Sequence, residues 1–122
     1  MQYSLLIDTS LKDSRVLLLK NSKVAANRTW LSDRTLSTKL LQAIDEMLRR
    51  EGIALTDIAK CGVKAGPGHY SALRTGIVVA SMISFAQNKD LISIHSDNKE
   101  EQITEMEISK PVDNVIPVYK IG

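Results

Sequence analysis

Cysteine and long apolar runs are scarce in this sequence. Cys61 is the only cysteine among 122 residues, so an intrachain disulfide is excluded. We expect a buried, unreactive thiol and a reducing cytoplasmic location. No apolar run reaches the roughly 20 residues that a membrane-spanning helix needs, and Asp8 interrupts the first apolar stretch. We therefore expect no membrane span and no signal peptide.

Clustered basic charge is also missing. The formal net charge is +2, a mild surplus that does not predict a nucleic-acid-binding surface. A lysine-bearing phosphate loop of the Walker type is absent as well. With 25% charged and 43% hydrophobic residues, the composition is that of an ordinary globular protein with one core.

The hydrophobic periodicity predicts five strands and two helices in the order βββαβαβ. Asn21-Ser22 is a two-residue hairpin signal, and Gly52 is a stop signal for the first helix. A meander followed by two crossovers is the ribonuclease-H-like arrangement, an α/β fold with a five-stranded mixed sheet and helices on its faces. The predicted strands are residues 3–9, 15–20, 23–30, 58–65 and 90–96, and the helices are residues 36–48 and 72–87.

The chain divides into a lobe and a short C-terminal part. Residues 1–96 hold the predicted lobe. Residues 97–110 are charged and weakly periodic, which predicts a polar linker or a frayed helix. Residues 111–122 form a tail with one further strand as an option, and Pro117 would confine that strand to a sheet edge.

The second predicted helix is apolar around its whole circumference, so it should be covered on more than one side. Gly76, Ala80 and Ser84 repeat every four residues and form a ridge of small side chains. The ridge allows another helix to approach closely. Either the first helix of the same chain or a partner protein could supply that contact.

The sequence lacks an obvious catalytic constellation. His69 and His95 stand in separate segments, so we predict neither a metal site nor a cofactor. Ser71 is predicted to be the N-cap of the second helix. Two explanations remain open for a strand-end cluster and a glycine loop: a phosphate or nucleotide contact, or a plain structural turn. The residues concerned are Asp8, Thr9, Ser10, Gly66 and Gly68.

Three segments carry a resemblance to a known family. They are "LLIDTS" at 5–10, "LRREGIALTDI" at 48–58 and "GPGHYSALRTGIVVA" at 66–80. Together with "DLISIHS", they resemble the TsaB family, whose members have strands ending in IDTS and a GPGSFTGLRIGL loop. His69, Tyr70 and Ala72 replace the usual Ser, Phe and Gly of that loop.

The resemblance implies an actin-like ATPase fold and a role in tRNA modification. Family members are non-catalytic partners of TsaD, which transfers a threonylcarbamoyl group to the adenosine beside the anticodon. An ATPase, TsaE, acts on the complex, and tRNA would be contacted only indirectly. The HxxxH metal motif of TsaD is absent, because residues 95–100 read HSDNKE. The resemblance also implies a second, C-terminal lobe, and we expect nearly all of it to be missing from this chain.

The resemblance also implies an interface on the two helices. Arg74 should pair with a carboxylate at the helix start or across the interface, or else be solvated. Two alternatives stay open: a homodimer through the same helices without any transferase, and an ATP-hydrolysing enzyme using Asp8 and Thr9. An Ala80→Arg substitution would be expected to abolish whichever assembly is real. The predicted interface residues are Leu36, Leu40, Ile44, Met47, Arg74, Gly76, Ile77, Ala80, Ile83 and Ser84.

Overall fold

The central strand of the sheet is the first one in the chain. In the computed structural model, which describes residues 2–31 and 35–120, β1 (Tyr3–Asp8) pairs antiparallel with β2 (Asp13–Lys20) and parallel with β4 (Ile58–Lys64). Both faces of β1 are covered, so its sequence is a nearly continuous apolar run rather than an alternating one.

The two edge strands complete the predicted mixed sheet. β3 (Lys23–Leu31) pairs antiparallel with β2, and β5 (Asp90–Ile94) pairs parallel with β4, giving the order β3-β2-β1-β4-β5. Asn21 and Ser22 have φ of 50° and 68°, the positive values of a type I′ hairpin turn. The five-stranded α/β prediction is confirmed.

The helices cover the two faces of the sheet unequally. α1 (Leu36–Glu51) and α2 (Tyr70–Gln87) share one core with inward residues of β1 and β4. A second, smaller core lies on the other face and includes Leu6, Leu17, Ile92 and Met106. A short 3-10 turn, Leu55–Asp57, links α1 to β4. No helix in the described ranges is long and apolar enough to cross a membrane.

The end of α1 lies where the sequence predicts it, whereas the start of α2 does not. Gly52 ends α1 with a left-handed φ of 73°, as expected for a glycine C-cap. Ser71, the predicted N-cap of α2, lies inside the helix, and His69 takes the N-cap position without a side-chain hydrogen bond. The helix therefore begins two residues earlier than predicted.

Residues 97–110, expected to be a polar linker or a frayed helix, contain a regular helix. Lys99–Ile108 form a third helix, α3, with Gln102 and Met106 buried against the sheet. Met106 fits because Gly62 of β4 lacks a Cβ, which would collide with the methionine Sδ. Asn98 accepts a hydrogen bond from the Glu101 amide at 2.8 Å. This Asn-x-x-Glu cap was visible in the sequence and outweighs the weak periodicity.

The tail returns to the lobe without adding a strand. Val115 is buried in the larger core, and the Val112 amide donates to the Leu91 carbonyl at 2.9 Å. Gly68 and Tyr119 form only an isolated parallel bridge, so no edge strand is present within the described part of the tail. Residues 121 and 122, also part of the predicted tail, lie outside the described residues.

Candidate functional site

The acidic residue at the end of β1 is engaged inside the protein. One carboxylate oxygen of Asp8 accepts from the Ser10 amide at 2.9 Å and from the Ser10 hydroxyl at 2.6 Å. The other accepts from Nε2 of Gln102 at 3.0 Å. Asp8 and Ser10 are buried, and these contacts tie the β1–β2 turn to α3.

The Gln102 amide connects three segments through this network. Its Nε2 also donates to the Ser96 carbonyl at 2.9 Å, and its Oε1 accepts from Arg15 at 2.7 Å. Gln102 is completely buried. A buried amide with its donors and acceptor satisfied is a structural tie between α3 and the sheet.

The glycine loop approaches the chain's own backbone closely. Gly66 has φ of +124°, and an added Cβ would collide with the Val118 carbonyl oxygen. Gly68 donates to that same oxygen at 3.1 Å and accepts from the Lys120 amide at 2.8 Å. An added Cβ on Gly68 would lie 2.9 Å from the Ser10 backbone, so close approach of the chain's own backbone requires both glycines.

A broad cleft lies beside the loop. Its volume is about 1030 Å³, and its lining includes Thr9, Ser10, Lys12, Ser71 and Lys120. Thr9 is buried, its hydroxyl has no hydrogen-bond partner within the described ranges, and its side chain packs against α2 at Gly76. The proposed phosphate contact of these residues thus remains a prediction.

A buried cation lies at the end of β4. Lys64 is 2% exposed, and its ammonium group lies 2.7 Å from the Asp97 carboxylate. A hydrogen bond and the coulombic attraction from Lys64 lower the pKa of Asp97 below its ordinary value. This pair anchors the segment between β5 and α3.

Most of the predicted interface residues are buried within this chain, and a role for them in partner binding stays a prediction. On α1, Leu40, Ile44 and Met47 belong to the core shared with the sheet, whereas Leu36 lines the cleft. On α2, Gly76 packs directly on Thr9, so the ridge of small residues faces the sheet. Ile77 is half-buried against the same core, and Arg74 alone is exposed. The buried residues are Leu36, Leu40, Ile44, Met47, Gly76, Ala80, Ile83 and Ser84.

The opposite side of α2 carries large exposed side chains at helical spacing. We call it the α2 stripe, and its members follow one another at intervals of three or four residues. Phe85 is 90% exposed and Met82 64%, and with their neighbours they form a contiguous apolar surface rather than single scattered residues. The stripe consists of Tyr70, Arg74, Val78, Met82 and Phe85.

The sequence contained the signal for this surface. On one side of α2 the small residues Gly76, Ala80 and Ser84 repeat every four positions. On the other side, large side chains repeat at intervals of three or four positions. A helix that packs closely on a sheet needs its small side inward. The large apolar side is then left outward.

Arg74 is held by its own helix. It donates from Nη1 to the Tyr70 hydroxyl at 2.6 Å, and its guanidinium carbon lies 5.7 Å from that ring's centroid. The first turn of α2 contains no acidic residue, so the predicted carboxylate at the helix start is wrong. The Tyr70 ring in turn stacks on Tyr119 of the tail, with centroids 4.9 Å apart.

Comparisons with known proteins place this geometry in a family. The family model described as TsaD, tRNA N6-adenosine threonylcarbamoyltransferase, matches residues 24–112. The TsaB biosynthesis protein of Haemophilus influenzae is 31% identical over 91 residues, which are 74% of this chain and 38% of that protein. The tRNA N6-adenosine threonylcarbamoyltransferase of Bacillus subtilis is 27% identical over 109 residues, covering 76% of this chain and 32% of the enzyme.

A solved structure shows the same fold. YeaZ from Pseudomonas aeruginosa superposes with a TM-score of 0.71 at 24% identity, over 78% of this chain and 44% of that one. The chain thus spans less than half the length of each of these relatives. The family model covers most of the chain, and the chain therefore belongs to the TsaD family, as a TsaB-type member of it.

Proposed function

We propose that this protein is a non-catalytic subunit that binds a TsaD-like transferase and supports threonylcarbamoyladenosine modification of tRNA. The exposed α2 stripe carries the proposal. Three of its five residues are apolar side chains, Val78, Met82 and Phe85, and such a stripe on a helix fits a protein interface. Met and Phe are well suited to docking, because one is adaptable and the other buries a large area.

The occupant of the stripe is inferred from the family likeness. Both the TsaB protein and the transferase resemble this chain over most of its length. A partner with the same lobe can present an equivalent helix pair, so that two similar faces pack against each other. A TsaE-like ATPase would act on the resulting complex in the cytoplasm, and tRNA would be contacted through the transferase.

The residues of this chain favour a non-catalytic role. The segment after β5 has a single histidine, His95, and no histidine four residues later. Both carboxylate oxygens of Asp8 accept hydrogen bonds from other residues of the chain. These features give no support to the ATP-hydrolysing alternative.

The proposal is tested by measuring the molar mass in solution of the purified chain, alone and mixed with the TsaD-type protein of the same organism. A 1:1 heterodimer is expected. Met82→Arg should weaken it about a hundredfold or more, since an unpaired charge in an apolar interface costs roughly 3 kcal/mol. Ala80→Arg is unsuitable because Ala80 is completely buried in the core and the variant would unfold.

Thr104→Arg is the matched control, since Thr104 is exposed on α3, across the sheet from α2. It should leave the heterodimer intact. A homodimer that Met82→Arg disrupts, with no heterodimer formed, would favour the self-associating module instead. A heterodimer that tolerates Met82→Arg would exclude the α2 stripe as its interface.

A further inference from the structure

Arg74 carries the only formal charge on the α2 stripe, and it has no anionic partner among the residues that the structure describes. Its contacts are the Tyr70 hydroxyl at 2.6 Å and the Tyr70 ring. Packing a guanidinium into an interface without a counter-charge is costly. A protein that docks on Val78 and Met82 must therefore meet Arg74 with an acceptor.

Tyr70 is itself fixed by the tail. Its ring lies 4.9 Å from that of Tyr119, at an interplanar angle of 38°. The backbone on each side of Tyr119 is hydrogen-bonded to the glycine loop, through the Val118 carbonyl at 3.1 Å and the Lys120 amide at 2.8 Å, both to Gly68. The tail thereby sets the position of the ring to which Arg74 is bound.

We propose that Tyr119 and Tyr70 are positioning residues that hold the Arg74 guanidinium ready for a carboxylate of the docked partner. This inference rests on the proposed function, because it names how one residue of the same surface is used. A free arginine side chain loses much rotamer freedom when it is fixed. Holding it before docking removes part of that entropy cost from binding.

The test is the dissociation constant of the complex with the TsaD-type protein, measured by calorimetry for four variants. Tyr70→Phe removes only the hydroxyl and keeps the ring for Tyr119. Tyr119→Ala removes the stack, while Tyr119→Phe keeps it. Arg74→Met keeps the apolar stem and removes the charge. We expect Tyr70→Phe and Tyr119→Ala each to weaken binding about three- to fivefold, and Tyr119→Phe to bind like the native chain.

The decisive comparison uses the Arg74→Met background. Tyr70→Phe should have no further effect on affinity there, because the group that it positions is gone. The thermal midpoint of Tyr70→Phe alone should equal that of the native chain. An affinity loss that persists in the Arg74→Met background, or that accompanies a lower thermal midpoint, would overturn the inference.

Failure of this inference is separable from failure of the proposed function. If Met82→Arg abolishes the heterodimer while Tyr70→Phe and Tyr119→Ala leave its dissociation constant unchanged, the docking surface stands and the positioning role is wrong. If no heterodimer forms with the native chain, the proposed function is wrong, and this inference fails with it.

Discussion

Gly76 of α2 packs directly on the side chain of Thr9, so closely that an added Cβ would collide with the threonine hydroxyl. Both residues are buried, and the contact joins the end of the central strand to the second turn of the helix. It determines which side of α2 faces inward, and therefore which side is left for a partner.

This contact predicts that Gly76→Ala destabilises the chain, although alanine is the better helix former. The helix gain of about 1 kcal/mol is smaller than the overpacking cost of about 1–3 kcal/mol. We expect a net loss of up to about 2 kcal/mol in the free energy of unfolding by urea titration. Adding Thr9→Ala should recover most of it, since that change clears the space and the Thr9 hydroxyl has no partner within the described ranges. If the losses of unfolding free energy from Gly76→Ala and Thr9→Ala simply added in the double variant, the two residues would not be in close contact.

Replacing Gln102 by Met tests the tie between α3 and the sheet. The thioether keeps the side-chain volume but cannot replace the hydrogen bonds to Asp8, Ser96 and Arg15. The buried partners would be left unsatisfied, so unfolding should need about 2–4 kcal/mol less free energy. Thr104→Val on the exposed side of α3 is the control and should change stability by less than about 0.5 kcal/mol. Equal effects of the two variants would show that Gln102 does not anchor the helix.

The Lys64–Asp97 pair predicts an acid-dependent loss of stability. Because Lys64 lowers the pKa of Asp97 in the folded state, the contribution is complete above the ordinary value of 3.8 and is lost as the pH falls through the lower folded-state pKa. Asp97→Asn should therefore lower the thermal midpoint at pH 7, and the difference from the native chain should close in strong acid.

Asp113→Asn is the matched control, since Asp113 is exposed and forms no ion pair with any described residue. It removes the same charge without leaving Lys64 alone. A thermal midpoint of Asp97→Asn that stays below the native one at every pH would show that the charge pair is not the cause.

Cys61 should be unreactive in the folded chain. Burial raises the pKa of its thiol to about 12, so almost no thiolate is present at pH 8. Labelling by a disulfide reagent at pH 8 should proceed only as fast as the chain unfolds. It should become rapid in about 6 M guanidinium chloride, a concentration that unfolds most domains. Fast labelling of the native chain would place the thiol at an accessible position.

The sequence determined the order of the strands and of the first two helices along the chain, and the family. Apolar runs, a two-residue hairpin signal at Asn21-Ser22 and the Gly52 stop are local features, and each produced the expected element. Such signals depend on a few neighbouring residues, so they survive without knowledge of the rest of the fold. The segments quoted for TsaB likewise led to a family that the comparisons confirm.

Only the tertiary structure decided the orientation of the helices and the role of the polar segment. The ridge of small residues on α2 faces inward because Gly76 packs closely on Thr9. These two residues are far apart in sequence, so local patterns do not predict their contact. The regular helix α3 was expected only as a frayed helix or a linker. Its two buried side chains are an amide, Gln102, and a methionine, Met106, whose partners lie on three different strands. Periodicity reports which side chains are apolar, whereas burial depends on which other elements come to cover them.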